Sequence, residues 1–184
     1  MSSKLDDCFS IRKRRFQRIR LSIHPRTEFR KVLDILHCIT FPAFIADAEN
    51  AKFAVLELLN NSLRAHREKK VDKRIQLLLA VEGNPSRLEV TIRDFGGGFD
   101  PAKLPYRLGE DVARIDQNSR AFQEYRQANN FQRFGLGLLV VRRVFPYFSF
   151  SFFSPEGRIV RWGEEAVAGT LIKLAKGGIP DGRG

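Results

Sequence analysis

The sequence is poor in cysteine, in acidic residues and in long apolar runs, and each shortage excludes a class of protein. Its 184 residues include two cysteines, Cys8 and Cys38, too few for a disulfide framework or a cysteine metal cluster. No apolar run approaches the roughly 20 residues that span a bilayer. No apolar segment follows the charged N-terminus, as a signal peptide would require. We therefore expect a cytoplasmic protein with reduced thiols and no membrane span.

Acidic residues number 21 against 32 basic ones, so the formal net charge is +11 and favours an anionic partner. The excess is concentrated near the N-terminus, and residues 11–20 (IRKRRFQRIR) are the densest part. Two interpretations of this segment remain open: a solvated leader into the first strand, or a contact surface for an acidic partner. Nucleic-acid binding, which would have to be steeply salt-dependent, is not what we expect.

The composition, 43% hydrophobic and 29% charged, is that of a globular domain with a sizeable core. Alternating residues and turn signals predict strands, and 3.6-residue periodicity predicts helices. A polar connection of some thirty residues, with a helix between about 110 and 128, is typical of a lid. Strands are predicted at 16–23, 74–81, 87–94, 147–154, 158–162 and 169–176, and helices at 27–39, 47–69 and 134–145.

This order of elements predicts an α+β fold, because strands do not alternate regularly with helices. We expect a two-layer sandwich of a mixed, mainly antiparallel sheet with helices on one face. The predicted organisation is a basic leader at residues 1–15, one domain at 16–176 and a disordered tail at 177–184.

One predicted helix carries Glu57, Asn61 and Ala65 within roughly 80° of one another, at about 100° per residue. Its opposite face is apolar. Such a helix can present a carboxylate and an amide to a metal-bound ligand. Equally, it can be an amphipathic helix whose polar residues lie in water, and the helix alone does not decide between the two.

Two glycine-rich segments follow this helix along the chain. The first, DFGGG at residues 94–98, comes at a strand end, where glycine lets the backbone approach a ligand closely. The second, GLGL at residues 135–138, precedes a helix, where backbone N–H groups and the helix dipole favour phosphate.

Together, ELLNNSLRA (57–65), DFGGG and GLGL resemble, in order and spacing, the three nucleotide-binding boxes of the GHKL (histidine kinase-like) ATPase superfamily. The resemblance implies a Bergerat-type ATP-binding fold with ATP and Mg²⁺ as cofactors. It implies that Asn61 binds Mg²⁺, that Glu57 is a general base and that Asp94 accepts a hydrogen bond from the adenine amino group. The other nucleotide-binding residues that it implies are Ala65, Gly96, Gly98, Gly135, Leu136, Gly137 and Leu138.

Within the superfamily, the chain is most similar to the anti-sigma-factor serine/threonine-protein kinases. GGGFDP (96–101), GLGLLVVRRV (135–144) and GTLIKL (169–174) look like sequences of that branch. This resemblance implies a protein kinase that acts on a partner, with a sigma factor or an anti-anti-sigma-like antagonist as the expected partner. A homodimer is also compatible with it.

The sequence departs from that branch at three places: Ala65 stands where histidine is common, Pro146 where aspartate is common, and Arg133 replaces a glycine. None of the three histidines has the acidic neighbour of a phosphoacceptor, so we do not expect autophosphorylation on histidine. Two alternatives to a kinase remain open. One is a non-catalytic, ATP-dependent protein-interaction switch. The other is an ATP-binding module that works with a separate signalling partner.

Overall fold

The structure is a computed structural model that describes residues 7–128 and 136–177. Two short 3-10 helices, Pro101–Lys103 and Val112–Arg114, lie in the lid. In the described ranges, every helix is too short or too polar to cross a membrane. The strands are β1 (Phe9–Ile11), β2 (Arg14–Phe16), β3 (Arg18–Ile23), β4 (Ile75–Glu82), β5 (Arg87–Asp94), β6 (Tyr147–Phe153), β7 (Ile159–Val160) and β8 (Gly169–Lys176), and the helices are α1 (Phe29–His37), α2 (Ala48–Glu68), α3 (Arg120–Ala128) and α4 (Leu136–Val144).

Strands β3 to β8 form one six-stranded sheet in the order β3-β4-β5-β8-β6-β7, and all its neighbouring pairs are antiparallel. Alternate residues of each strand point to one face, so Leu77, Ile92 and Ile172 lie side by side and are buried. Buried residues of α1, α2 and α4 belong to the same core cluster. The prediction of an α+β sandwich with helices on one face is therefore confirmed.

Helix α2 begins and ends within a residue of its predicted bounds. Its four predicted apolar residues, Val55, Leu56, Leu59 and Leu63, are all buried in the core. Glu57 and Asn61 are half-buried, whereas Asn60 is exposed. The helix thus packs its apolar face on the sheet and holds Glu57 and Asn61 at the border of that interface.

The predicted basic leader contributes to the folded structure. Strands β1 and β2 form a hairpin, and Phe9 of β1 is fully buried with its ring edge-on to Phe41. Ser10 and Thr40 exchange two backbone hydrogen bonds of 3.0 and 2.8 Å. The sequence did not predict this hairpin, because its second strand is basic and exposed throughout and so has the composition of a solvated segment.

The lid has a small core of its own, made by Tyr106, Ile115 and Phe122 together with Leu139 of α4. The sequence predicts a helix between about 110 and 128, and the structure has one, α3, only in the second half of that range. Asp116 accepts a hydrogen bond from the Asn118 backbone N–H at 2.8 Å, a local turn that competes with helix at that point.

Candidate functional site

Asp94 is the last residue of β5 and lies directly opposite Thr170 of β8. Its carboxyl group is buried, and three donors converge on it. Gly96 N–H donates to Oδ1 at 2.9 Å, while the Ser62 hydroxyl at 3.2 Å and the Thr170 hydroxyl donate to Oδ2. A carboxylate has about four acceptor positions, so roughly one remains for a ligand donor.

A cavity of about 570 Å³ opens beside this carboxyl group, between α2, the ends of β5 and β8, and the lid. Its volume is that of a small-molecule site. Five of the predicted site residues line it: Asn61, Ala65, Asp94, Gly98 and Leu138. These five residues are far apart in the chain, and the fold brings them to a single cavity.

The first glycine segment passes very close to α2. A methyl group added at Gly96 would lie 2.6 Å from the Ala65 Cβ atom, which is too close for any real contact. Gly98 has a φ of +65°, and a methyl group there would lie 2.8 Å from the Phe152 ring. Gly96 must therefore lack a side chain, because its backbone packs directly on Ala65.

The second glycine segment meets the other end of the site. A methyl group at Gly137 would lie 3.0 Å from Glu57 Oε2 and 3.4 Å from Asn61 Nδ2. Glu57 and Gly137 thus lie against each other, although neither lines the cavity itself. Leu136 begins α4, and Gly135 and Arg133 lie outside the described residues.

Cationic side chains also surround the cavity, and one of them contacts the predicted metal ligand. Arg64 donates from its guanidinium to Asn61 Oδ1 at 3.2 Å, and Lys103 approaches from the lid. Burial raises the pKa of Tyr125 in the same wall. Glu68 and Asp100 also line the cavity, and Glu68 lies 3.8 Å from Arg64, so the charged part of the wall carries both signs.

The donor set fits Mg²⁺ in one respect. No group of three or more His, Cys, Asp and Glu side chains able to hold a metal occurs within residues 7–128 and 136–177. Mg²⁺ does not need one, because it keeps several waters and is commonly held by one or two protein oxygens plus substrate phosphates. The Asn61 amide oxygen, beside the Glu57 carboxylate, is such a donor, and Arg64 already donates one hydrogen bond to it.

Sequence reasoning missed several residues of the site. Ser62 and Thr170 hold the Asp94 carboxyl group, and Arg64 and Lys103 bring positive charge. Thr170 was within the recognised GTLIKL segment, but its role depends on the register between β5 and β8. Ser62 directly follows Asn61 and is buried, and the sequence alone does not distinguish a buried helical serine from an exposed one.

Gly169 is expected to be intolerant of any side chain. A methyl group there would lie 1.9 Å from the Asp94 carbonyl oxygen, so the Asp94 backbone would have to move. We expect Gly169→Ala to lose about 1–3 kcal/mol of unfolding free energy, as overpacking does. Chemical denaturation measures this loss. Gly109→Ala is the matched control because a methyl group at Gly109 meets nothing within 4 Å, and equal stability of the two variants would contradict the prediction.

Comparison with models of protein families places the chain in a known family. A model of the histidine kinase-like ATPase domain matches residues 25–162, well over half of the chain. The match includes Glu57, Asn61 and Asp94 but ends before Thr170. No curated protein matches the chain.

Proposed function

Because the chain belongs to the histidine kinase-like ATPase domain family, we propose that it is an ATP–Mg²⁺-dependent regulatory kinase that phosphorylates a serine or threonine of a partner protein. ATP binding follows from the family. The kinase activity, the metal and the partner are our proposal.

The observation that carries the nucleotide assignment is the Asp94 carboxyl group in the cavity wall. It is buried, and three protein donors hold it in place with room for roughly one more. The adenine amino group is a donor that suits this position, whereas guanine would present a carbonyl acceptor there. The site therefore favours ATP over GTP.

The other end of the cavity supports the catalytic part of the proposal. Asn61 would hold Mg²⁺, which neutralises the charge of the phosphates when bound. Glu57 lies one turn earlier on α2, against Gly137 at the start of α4. We assign Glu57 as the general base that removes the proton from the partner's hydroxyl as its oxygen attacks the γ-phosphate and ADP leaves.

The proposed partner is a sigma factor or an antagonist of the anti-anti-sigma type. Support for this branch comes from three sequence segments, GGGFDP, GLGLLVVRRV and GTLIKL. The Phe of the first segment, Phe99, packs against Phe150 of β6 in the cavity wall at 5.3 Å between ring centroids. That segment therefore forms part of the site.

A non-catalytic switch is the alternative, and two structural features favour it. The lid packs on α4 through its own apolar core and also lines the cavity. Nucleotide binding in the cavity can therefore move the lid and change the protein surface without any phosphoryl transfer. The hairpin of β1 and β2 is anchored by Phe9 and presents the basic residues Arg12, Lys13 and Arg14 to solvent. An acidic protein segment would complement this charge.

Two measurements test the proposal in sequence. Mg-ATP at 100 times its dissociation constant is expected to stabilise the fold by about 2.7 kcal/mol, seen as a rise in Tm. γ-Labelled ATP is then expected to transfer its label to the partner. No rise in Tm at any ATP concentration would overturn both functions. A rise without transfer to any sigma factor or antagonist would favour the switch.

A further inference from the structure

His66 is a fully buried histidine that the proposed function does not use. It lies on α2 and its Nε2 accepts a hydrogen bond of 2.8 Å from the Phe95 backbone N–H. Because Nε2 accepts, the imidazole is neutral and carries its proton on Nδ1. The hydrogen bond of Nε2 therefore goes to the residue that directly follows Asp94.

This hydrogen bond lies just beyond the last paired residues of β5 and β8, and the next cross-chain backbone bond is from Gly97 N–H to the Ala168 carbonyl at 3.1 Å. Pairing of β5 with β8 ends at Asp94 and Thr170, so the Phe95 N–H lies beyond the ladder. Phe95 N–H goes to His66, and the next N–H, of Gly96, goes to Asp94 Oδ1 at 2.9 Å. The two successive N–H groups of Phe95 and Gly96 are therefore both held by side chains, at the turn that orients the Asp94 carboxyl group.

We propose that His66 is a positioning residue for nucleotide binding: through the Phe95 N–H it holds the backbone that aims the Asp94 carboxyl group at the base. This inference rests on the proposed ATP site. It adds a residue that contacts neither the cavity nor the nucleotide and acts through Asp94.

The surroundings of His66 keep it in the accepting form. Burial lowers the pKa of His66, while Asp94 and the backbone of Val71 and Lys73 partly oppose this. Two cations lie over the Phe95 ring, Lys73 and Arg93, at 5.0 and 5.3 Å from its centroid. Protonation of Nε2 would place two N–H groups against each other and break the hydrogen bond.

The affinity test compares two variants at pH 7.5. His66→Leu removes the acceptor, so the turn no longer holds the Asp94 carboxyl group in place, and Mg-ATP binding should weaken about tenfold, which is about 1.4 kcal/mol. His66→Gln keeps an acceptor oxygen and should retain most of the affinity. The matched control is His37→Leu on the exposed end of α1, which should bind as the wild type does. Equal affinity of both His66 variants, whether normal or weak, would overturn the positioning role.

A second readout does not need ATP and survives if His66→Leu does not fold. The unfolded chain binds a proton at His66 below about pH 6.5, and the native chain resists it, so native stability must fall as pH falls through this value. We expect the Tm of the wild type to fall relative to that of His66→Gln below about pH 6.5. Parallel Tm profiles would overturn the proposed hydrogen bond. A divergent profile without any ATP binding would instead count against the ATP site alone.

Discussion

Asp94→Asn is expected to weaken ATP binding about 100-fold with little change in shape. Asparagine keeps the size of the side chain but replaces one acceptor oxygen with an NH₂ donor. Three protein donors already point at this group. The NH₂ must face one of them or the adenine amino group, so a charged hydrogen bond is lost and a donor is left unpaired. Each costs about 1–3 kcal/mol, and about 2.7 kcal/mol corresponds to 100-fold.

Titration calorimetry with Mg-ATP measures the affinity, and Tm without nucleotide reports how much the fold itself has lost. The matched control is Glu89→Gln, the same chemical change on the same strand, at a position whose side chain points to the opposite face of the sheet. We expect normal ATP affinity from the control. If Asp94→Asn binds ATP as tightly as Glu89→Gln does, the carboxyl group is not what reads the base.

The parts of the site that the sequence predicted are those encoded by local spacing. Glu57, Asn61 and Ala65 share a helix face because of helical geometry alone. Gly96 and Gly98 indicate a close approach of the backbone to neighbouring groups, because any side chain there would collide with them. Such signals need no knowledge of the rest of the fold. The structure places Glu57, Asn61 and Ala65 on α2, and Asn61, Ala65 and Gly98 line the cavity.

The parts that were missed depend on contacts between distant segments. Thr170 reaches Asp94 only because β8 inserts beside β5 in a register that pairs the two residues. Gly169 must be glycine because of the Asp94 carbonyl oxygen, which lies some 75 positions earlier in the chain. His66 accepts the Phe95 N–H, which belongs to a segment 29 positions later in the chain. No periodicity in a single segment carries this information.

The N-terminal hairpin illustrates a different reason for a missed element. Charge dominated the interpretation of residues 11–20, while the anchor is Phe9, a single apolar residue just outside the basic run. The buried Phe9 side chain and a pair of backbone hydrogen bonds between Ser10 and Thr40 attach the hairpin to the domain. Composition measured over a window averages such an anchor away.

Glu57→Gln is expected to abolish phosphoryl transfer while leaving ATP binding intact. The Glu57 side chain packs closely on Gly137, since a methyl group added there would lie 3.0 Å from Glu57 Oε2. Glutamine has the same size as glutamate and should fit the same space. It cannot accept a proton, however, and loss of a general base typically costs 10²–10⁴-fold in rate. Glu57 does not line the cavity, so the dissociation constant for Mg-ATP should change less than threefold.

Single-turnover transfer of labelled phosphate to the partner, measured at saturating ATP, separates the chemical step from binding. Glu49→Gln in the first turn of the same helix is the matched control, because its carboxylate is exposed and pairs only with Lys52 among the described residues. Since the two variants change the same charge on the same helix, only a role at the reacting hydroxyl predicts a large difference between them. Transfer by Glu57→Gln at the rate of the control would remove Glu57 from the mechanism while leaving the ATP site, which rests on Asp94, unaffected.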